Sequence, residues 1–267
     1  MKTENTKTSE KPEISILLPA IRVNEWVRVY DSLSQATKRN FELIIVGPFA
    51  LPENLQKVTN IKYCKDFGCP TRASSIASLM AEGELISWFT DDGTYNAGSL
   101  DLVIDELREM GEDEKNIVTS KYGEGNHNDP AHASDEYWTL NYHPAISSPF
   151  APDHWITFNT AIMYRSYYEK LGGVDCEFEH VAIADADLAY RAYQDGANVK
   201  MVNVKTYHCA HGQPDHQPIA ECHVKNDEPL IHSKYRDPNW RDNVKISIDI
   251  NNWKKASSVW ERRFKRL

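Results

Sequence analysis

An α/β fold, with a mostly parallel sheet flanked by helices, is what this sequence predicts. Three observations carry the prediction. Short runs with apolar residues recur at 13–19, 42–46, 60–64, 85–89 and 116–119, most of them rich in Ile, Leu and Val. Stretches with apolar residues at helical spacing separate most of them. The alternation repeats four times in about 110 residues, the pattern expected of βα units sharing one sheet.

The elements follow in order. Glu13-Ile-Ser-Ile-Leu-Leu-Pro19 reads as a first strand stopped by proline. In 23–37, Trp26, Val27, Tyr30, Leu33 and Ala36 recur at helical spacing. Residues 42–46 form an apolar strand closed by Gly47-Pro48, and 60–64 a shorter one. Pro70 opens a helix to about residue 81, since proline suits a first helical turn. Residues 85–89 are a buried-type strand that ends at Asp91-Asp92-Gly93. A helix over 99–110 and a strand over 116–119 complete this half.

Residues 120–155 break the rhythm with Gly, Asn, His, Asp, Pro and aromatics, and a loop this long is usually functional or an insertion. A strand is expected in 155–164, a helix in 166–171 capped by Gly172-Gly173, a helix in 184–194 and a strand in 198–204. Beyond it the chain is polar, loop-like and dense in His and Cys. Residues 1–12 are polar and read as a disordered leader.

The formal charge of −9 argues against a general nucleic-acid binder. No apolar run approaches the ~20 residues of a membrane span. Five cysteines without a Cys-x-x-Cys pair point to a reducing, cytoplasmic setting. The last fifteen residues differ. Six bases against one acid make 253–267 +5, leaving −14 elsewhere, with Trp253, Ala256, Trp260, Phe264 and Leu267 on one helical side. That segment reads either as a docked terminal helix or as a peripheral contact with anionic lipid at the inner face of the membrane.

The acidic turn has two readings. Ligands of open α/β sheets bind off the carboxyl ends of strands, where Asp91 and Asp92 can hold a hard divalent cation. The plain reading is a solvated turn.

Several segments together resemble the family 2 glycosyltransferases, inverting enzymes of the GT-A fold. Ile14-Ser-Ile-Leu-Leu-Pro19 and Phe41-Glu-Leu-Ile-Ile-Val46 are similar to that family's nucleotide-binding half. Thr71-Arg72-Ala73 and Ala81-Glu-Gly-Glu-Leu-Ile86 resemble its Ala-Arg-Asn helix and the lead into its acidic motif, where Thr90-Asp91-Asp92 sits. Arg165 with Leu171-Gly-Gly-Val-Asp175, then Ala184-Asp-Ala-Asp-Leu-Ala-Tyr-Arg191 and Gly196, resemble its later motifs in the right order. The chain differs at Val46-Gly47-Pro48, where acids are usual, and at Ala184, where a glutamate is usual.

The resemblance implies a GT-A domain with a Rossmann-like sheet over 13–210, divided into a nucleotide-binding half (13–119) and an acceptor half (120–210). Residues 211–267 would be a C-terminal extension with the basic helix. It implies transfer of a sugar from a nucleotide-diphosphate donor, most simply a UDP-sugar, to a glycan or lipid-linked acceptor. Asp185 would be the base that takes the acceptor proton. Mn2+ or Mg2+ would be held by Asp92 and Asp91 with His208, or His211 in its place. Pro19, Arg22, Asp66, Arg72, Asp91 and Asp187 would contact the nucleotide-sugar. By position and composition rather than by the resemblance, Trp138, Tyr142, His143 and Trp155 of the 120–155 stretch are expected to shape the acceptor side, since aromatic rings stack on sugar faces.

Plainer roles stand beside these: helix capping for Asp185 and Asp187, and a solvated position for Arg72 and the histidines. A zinc site built from His208, Cys209, His211, Cys222 and His223 matches no standard spacing. Two other functions compete. One is a degenerate GT-A domain that binds nucleotide, sugar or a partner without turnover. The other is a nucleotidyltransferase, disfavoured because Pro19-Ala-Ile-Arg22 is not a Gly-rich loop.

Overall fold

The computed structural model describes residues 11–124, 136–138, 158, 160–209, 223–237 and 239–256. Nine strands form one sheet among these residues: β1 (Ile14–Pro19), β2 (Phe41–Gly47), β3 (Ile61–Lys65), β4 (Leu85–Trp88), β5 (Gly93–Tyr95), β6 (Asn116–Glu124), β7 (Glu136–Trp138), β8 (Ala161–Tyr164) and β9 (Asn198–Cys209). Their order is β3-β2-β1-β4-β8-β6-β9-β5, with β7 paired to β6. The ladders β2–β3, β1–β2, β1–β4 and β6–β9 are parallel and are the longer ones. Short antiparallel ladders join β8 to β4 and β6, and β5 to β9.

The helices are α1 (Trp26–Ala36), α2 (Pro70–Met80), α3 (Ser99–Glu109), α4 (Arg165–Leu171), α5 (Val181–Gln194), α6 (Glu228–Tyr235) and α7 (Trp240–Asn243). Helix α1 buries Trp26, Val29, Leu33 and Ala36, three and four residues apart, which is one helical face. It packs with α3, whereas α2 lies on β1 and β2 and touches α5. The crossovers β1-α1-β2 and β3-α2-β4 run in opposite directions along the sheet, so right-handedness places α1 and α2 on opposite faces. Between those layers, Ile14, Ile16, Leu17 and Leu18 of β1 are fully buried, each worth roughly 1.5–3 kcal/mol of hydrophobic transfer.

Several elements depart from expectation. The second half of the sheet is longer: β6 runs to Glu124 and β9 to Cys209, because Lys205 pairs with β6 and residues 207–209 pair with both β6 and β5. Strand β5 was not expected; with three residues it shows no periodicity. Strand β8 begins at Ala161, and residues 155–157 lie outside the described residues. Helix α5 starts at Val181, three residues early, because the His180 ring accepts the Ala182 N–H at 3.2 Å. The His180 cap displaces the capping role considered for Asp185, which sits inside the helix. Helices α6 and α7 stand where the polar sequence leads one to expect loop. Tyr235 stacks on Tyr190 of α5 at 4.5 Å, and Trp240 meets Tyr190 edge-on at 5.2 Å.

The Gly172-Gly173 turn ends α4 as expected, both glycines having positive φ (+83° and +68°). A Cβ on Gly172 would lie 2.0 Å from the Ile248 carbonyl oxygen. Gly172→Ala is therefore expected to destabilise the fold by about 1–3 kcal/mol, from left-handed backbone and a backbone clash together. A urea midpoint equal to wild type would refute this.

Candidate active site

The first half of the sheet dictates where a ligand can sit. From β1 the chain moves through α1 to β2 on one side, and from β3 it crosses back through α2 to β4 on the other. The order therefore reverses between β1 and β4, and a crevice opens at the carboxyl ends of such a pair. The loop after β1 carries Ala20-Ile21-Arg22, and the loop after β4 carries Thr90-Asp91-Asp92.

Asp91 ties these two loops together. Its Oδ2 accepts the backbone N–H groups of Ile21 (2.6 Å) and Arg22 (2.5 Å), and the indole N–H of Trp26 at 3.3 Å. Its Oδ1 accepts the Arg22 guanidinium. Only 2% of Asp91 is exposed. Asp92 is nearly as buried, accepts the Thr90 hydroxyl at 2.5 Å, and has Oδ2 3.9 Å from Arg22 Nη2. Strand β5 follows at once, and its Thr94 stands opposite His208 of β9. The parallel β6 ladder puts Gly123 beside His208, and a Cβ there would meet the ring at 2.6 Å. His208 thus joins the neighbourhood of the acidic turn, and His211 lies outside the described residues.

Asp66 and Arg72 form a second group at the carboxyl end of β3. Arg72 donates through Nε and Nη2 to Asp66 at 3.0 Å each, and Asp66 also accepts the Gly68 N–H at 2.8 Å. Arg72 is therefore paired, not merely solvated. Its Nη1 donates to the Trp253 carbonyl at 2.8 Å, and its guanidinium lies 5.1 Å from the Trp253 ring centre. The start of the basic C-terminal segment thereby touches this edge as a 3-10 turn, Asn252–Lys255. Residues 257–267 lie outside the described residues.

Asp185 and Asp187, two positions apart on α5, have opposite surroundings. Asp187 is enclosed by Arg191 Nε (2.8 Å), the Tyr235 hydroxyl (2.7 Å) and Lys234 Nζ (3.6 Å). Burial raises its pKa, but Arg191 and Lys234 outweigh that and hold it below the ordinary carboxylate range. Among the described residues no such cation faces Asp185. Burial pushes its pKa well above the ordinary range, opposed by the Trp88 indole N–H. Tyr168 and Tyr207 border it. Trp88, at the end of β4, also donates to the Phe158 carbonyl at 2.9 Å. The next residue, Phe89, stacks on Tyr95 (3.9 Å) and meets Tyr207 edge-on (4.8 Å). Asp185 is thus linked to the acidic turn through the end of β4 and the Tyr95–Tyr207 pair.

The structure brings Pro19, Arg22, Asp91 and Asp92 to the switch point and His208 to the adjoining strand. Asp66 and Arg72 are one strand further out, and Asp187 belongs to an ionic cluster on the far side of α5. Trp88 was missed as a site residue, because inside an apolar run it carries no signal of its own. Of the two acids expected to hold a metal, Asp91 directs both carboxylate oxygens to donors of the β1 loop. Among the described residues, no three of His, Cys, Asp and Glu gather into a metal-binding group. Of the expected acceptor residues, Trp138 lies on β7, and Tyr142, His143 and Trp155 lie outside the described residues.

No protein-family model matches the chain, and no curated protein matches it in sequence. Solved structures do match. S. aureus TarS superposes with a TM-score of 0.54 at 15% identity, over 82% of this chain and 41% of that one, so the chain spans about two-fifths of TarS. TarS 1–349 in complex with UDP gives 0.55 at 14% identity, over 94% of this chain and 77% of that one. TarS 1–349 gives 0.55 at 15%, over 95% and 77%. The fold is of the GT-A type. The carboxyl ends of β1 and β4 form a topological switch point, where open α/β sheets bind their ligands. No described helix is long and apolar enough to cross a membrane.

Proposed function

We propose that this GT-A domain is an inverting glycosyltransferase that moves a sugar from a nucleoside-diphosphate donor to a hydroxyl of a glycan or lipid-linked acceptor. The observation that carries the reading is the contrast on α5. Asp187 is neutralised by cations, whereas Asp185 is a buried carboxylate of raised pKa beside the end of β4. Two acids pushed to opposite protonation behaviour is how acid–base roles are assigned. The resemblance to a structure containing UDP supports a uridine diphosphate donor.

In the proposed step the acceptor oxygen attacks the anomeric carbon from the face opposite the diphosphate. The carbon–oxygen bond to the diphosphate breaks, and its electron pair leaves with the diphosphate oxygen. The acceptor proton passes to Asp185, which takes it only when ionised. Direct displacement inverts the anomeric carbon. Arg22 and Arg72 stand on the donor side.

The test is incubation with a panel of nucleotide sugars and candidate glycan or lipid-linked acceptors, with products assigned by NMR. The expected result is transfer from one nucleotide sugar with inverted configuration. Nucleotide binding without transfer or donor hydrolysis, across the panel, would replace this reading with a binding domain.

A further inference from the structure

The switch-point crevice already contains a cation of the chain's own. Arg22 is held at both ends: its backbone N–H donates to Asp91, and its guanidinium donates to the same carboxylate. The guanidinium also faces Asp92 at 3.9 Å, and its side chain is 12% exposed. This geometry disagrees with the cation that the resemblance implies. For Asp91 to ligate a divalent ion, either Oδ2 would have to release backbone N–H groups of the β1 loop or Oδ1 would have to give up the Arg22 guanidinium. An ion on Oδ2 of Asp92 would sit against a guanidinium of the same sign. Both costs fall on buried groups, where like charges and unmet N–H groups are least tolerated.

A guanidinium does by geometry part of what such an ion does by charge. It is permanently positive and presents a planar fork of donors suited to phosphate oxygens. We propose that Arg22 is the group that meets the donor diphosphate, so that donor binding needs no divalent cation at Asp91 and Asp92. The Asp91 pairing then has a positioning purpose. It fixes the guanidinium at the switch point before the ligand arrives, which lowers the ordering cost of binding. When the sugar–phosphate bond breaks, the charge gathering on the departing diphosphate falls on a group already in place. Arg28 reinforces the arrangement from outside, donating to the Gly93 carbonyl at 2.9 Å and to the Thr94 hydroxyl.

The inference rests on the donor reading above, and calorimetry on the full chain separates the two. UDP and uridine are titrated into protein dialysed against EDTA and into protein supplied with Mn2+. UDP is expected to bind in EDTA within about threefold of its affinity in Mn2+. Arg22→Gln is expected to weaken UDP at least about tenfold, as loss of a charge-assisted contact does, while uridine binding is unchanged. Wild-type binding of UDP that vanishes in EDTA and returns with Mn2+ overturns the Arg22 inference and leaves the donor reading intact. Equal UDP affinity in Arg22→Gln also overturns it. Failure of UDP to bind under either condition overturns both. The chelator comparison uses wild-type protein, so it stands even if the variant folds poorly.

Discussion

Asp185→Asn is expected to abolish sugar transfer and to raise the melting temperature together. Asparagine has the same shape and keeps an oxygen for the Trp88 N–H, so the crevice should survive. It cannot take a proton. Loss of a general base typically removes about 10²–10⁴ of rate, and a defect of that size with unchanged UDP affinity is the kinetic signature expected. Full activity in the variant would remove Asp185 from the reaction.

The stability half follows from the raised pKa. Burial makes the charged form of Asp185 unfavourable, so the folded chain holds this proton more tightly than the unfolded chain does. A carboxyl raised in this way leaves stability untouched below its unfolded value, about 3.9. It reduces stability as pH climbs toward the folded value, by up to about 1.4 kcal/mol per pH unit. The neutral variant escapes that loss. Melting curves of wild type and variant should therefore coincide near the unfolded pKa and separate as pH rises, the variant melting higher. Activity of the wild type should rise over the same interval, since only the ionised form is a base. A gap in melting temperature that does not change with pH would contradict the assignment of the strained charge to Asp185.

How far the sequence reaches can be judged from these residues. The parallel half is legible because β1, β2 and β4 are nearly continuous apolar runs, and such runs are buried on both faces. Asp91 and Asp92 were legible as residues at a strand end, but not in their duties. The sequence has no means of saying that Asp91 accepts N–H groups from a loop seventy positions earlier. The strand pairing of residues 205–209 was invisible for a similar reason: Lys205, Thr206 and His208 look like loop until β5 and β6 are beside them. Residues 223–243 show no strong helical face, and they are held by aromatic stacking on Tyr190 rather than by their own periodicity. The pair Asp185 and Asp187 was found by motif order. Two positions apart on a helix places them on different sides, and that alone could have separated a reactive acid from a structural one.

Asp187→Ala is expected to cost roughly 3–5 kcal/mol of stability, the usual result of removing one partner from a buried ion pair. Arg191 and Asp187 are each only 1% exposed, so the remaining guanidinium would be left charged away from water. Its other donors cannot relax to find solvent, because Nη1 donates to the Leu171 carbonyl (2.6 Å) and Nη2 to the Gly173 carbonyl (2.5 Å). Those bonds hold the Gly172-Gly173 turn onto α5. Tyr235 would lose the oxygen its hydroxyl donates to, loosening α6 from the same helix. At about 2–4 °C per kcal/mol for a domain approaching this size, the melting temperature should fall on the order of 10 °C. The pH dependence has the opposite sign to that of Asp185. The cations hold the Asp187 pKa below 3.8, so its contribution is complete above that value and fades as pH falls through the folded pKa. The deficit of the variant should accordingly shrink in acid. The same protein decides between the two roles open to Asp187. A structural acid gives a lower melting temperature with UDP affinity kept below the melt, whereas a donor-contacting acid gives a normal melt and weakened UDP.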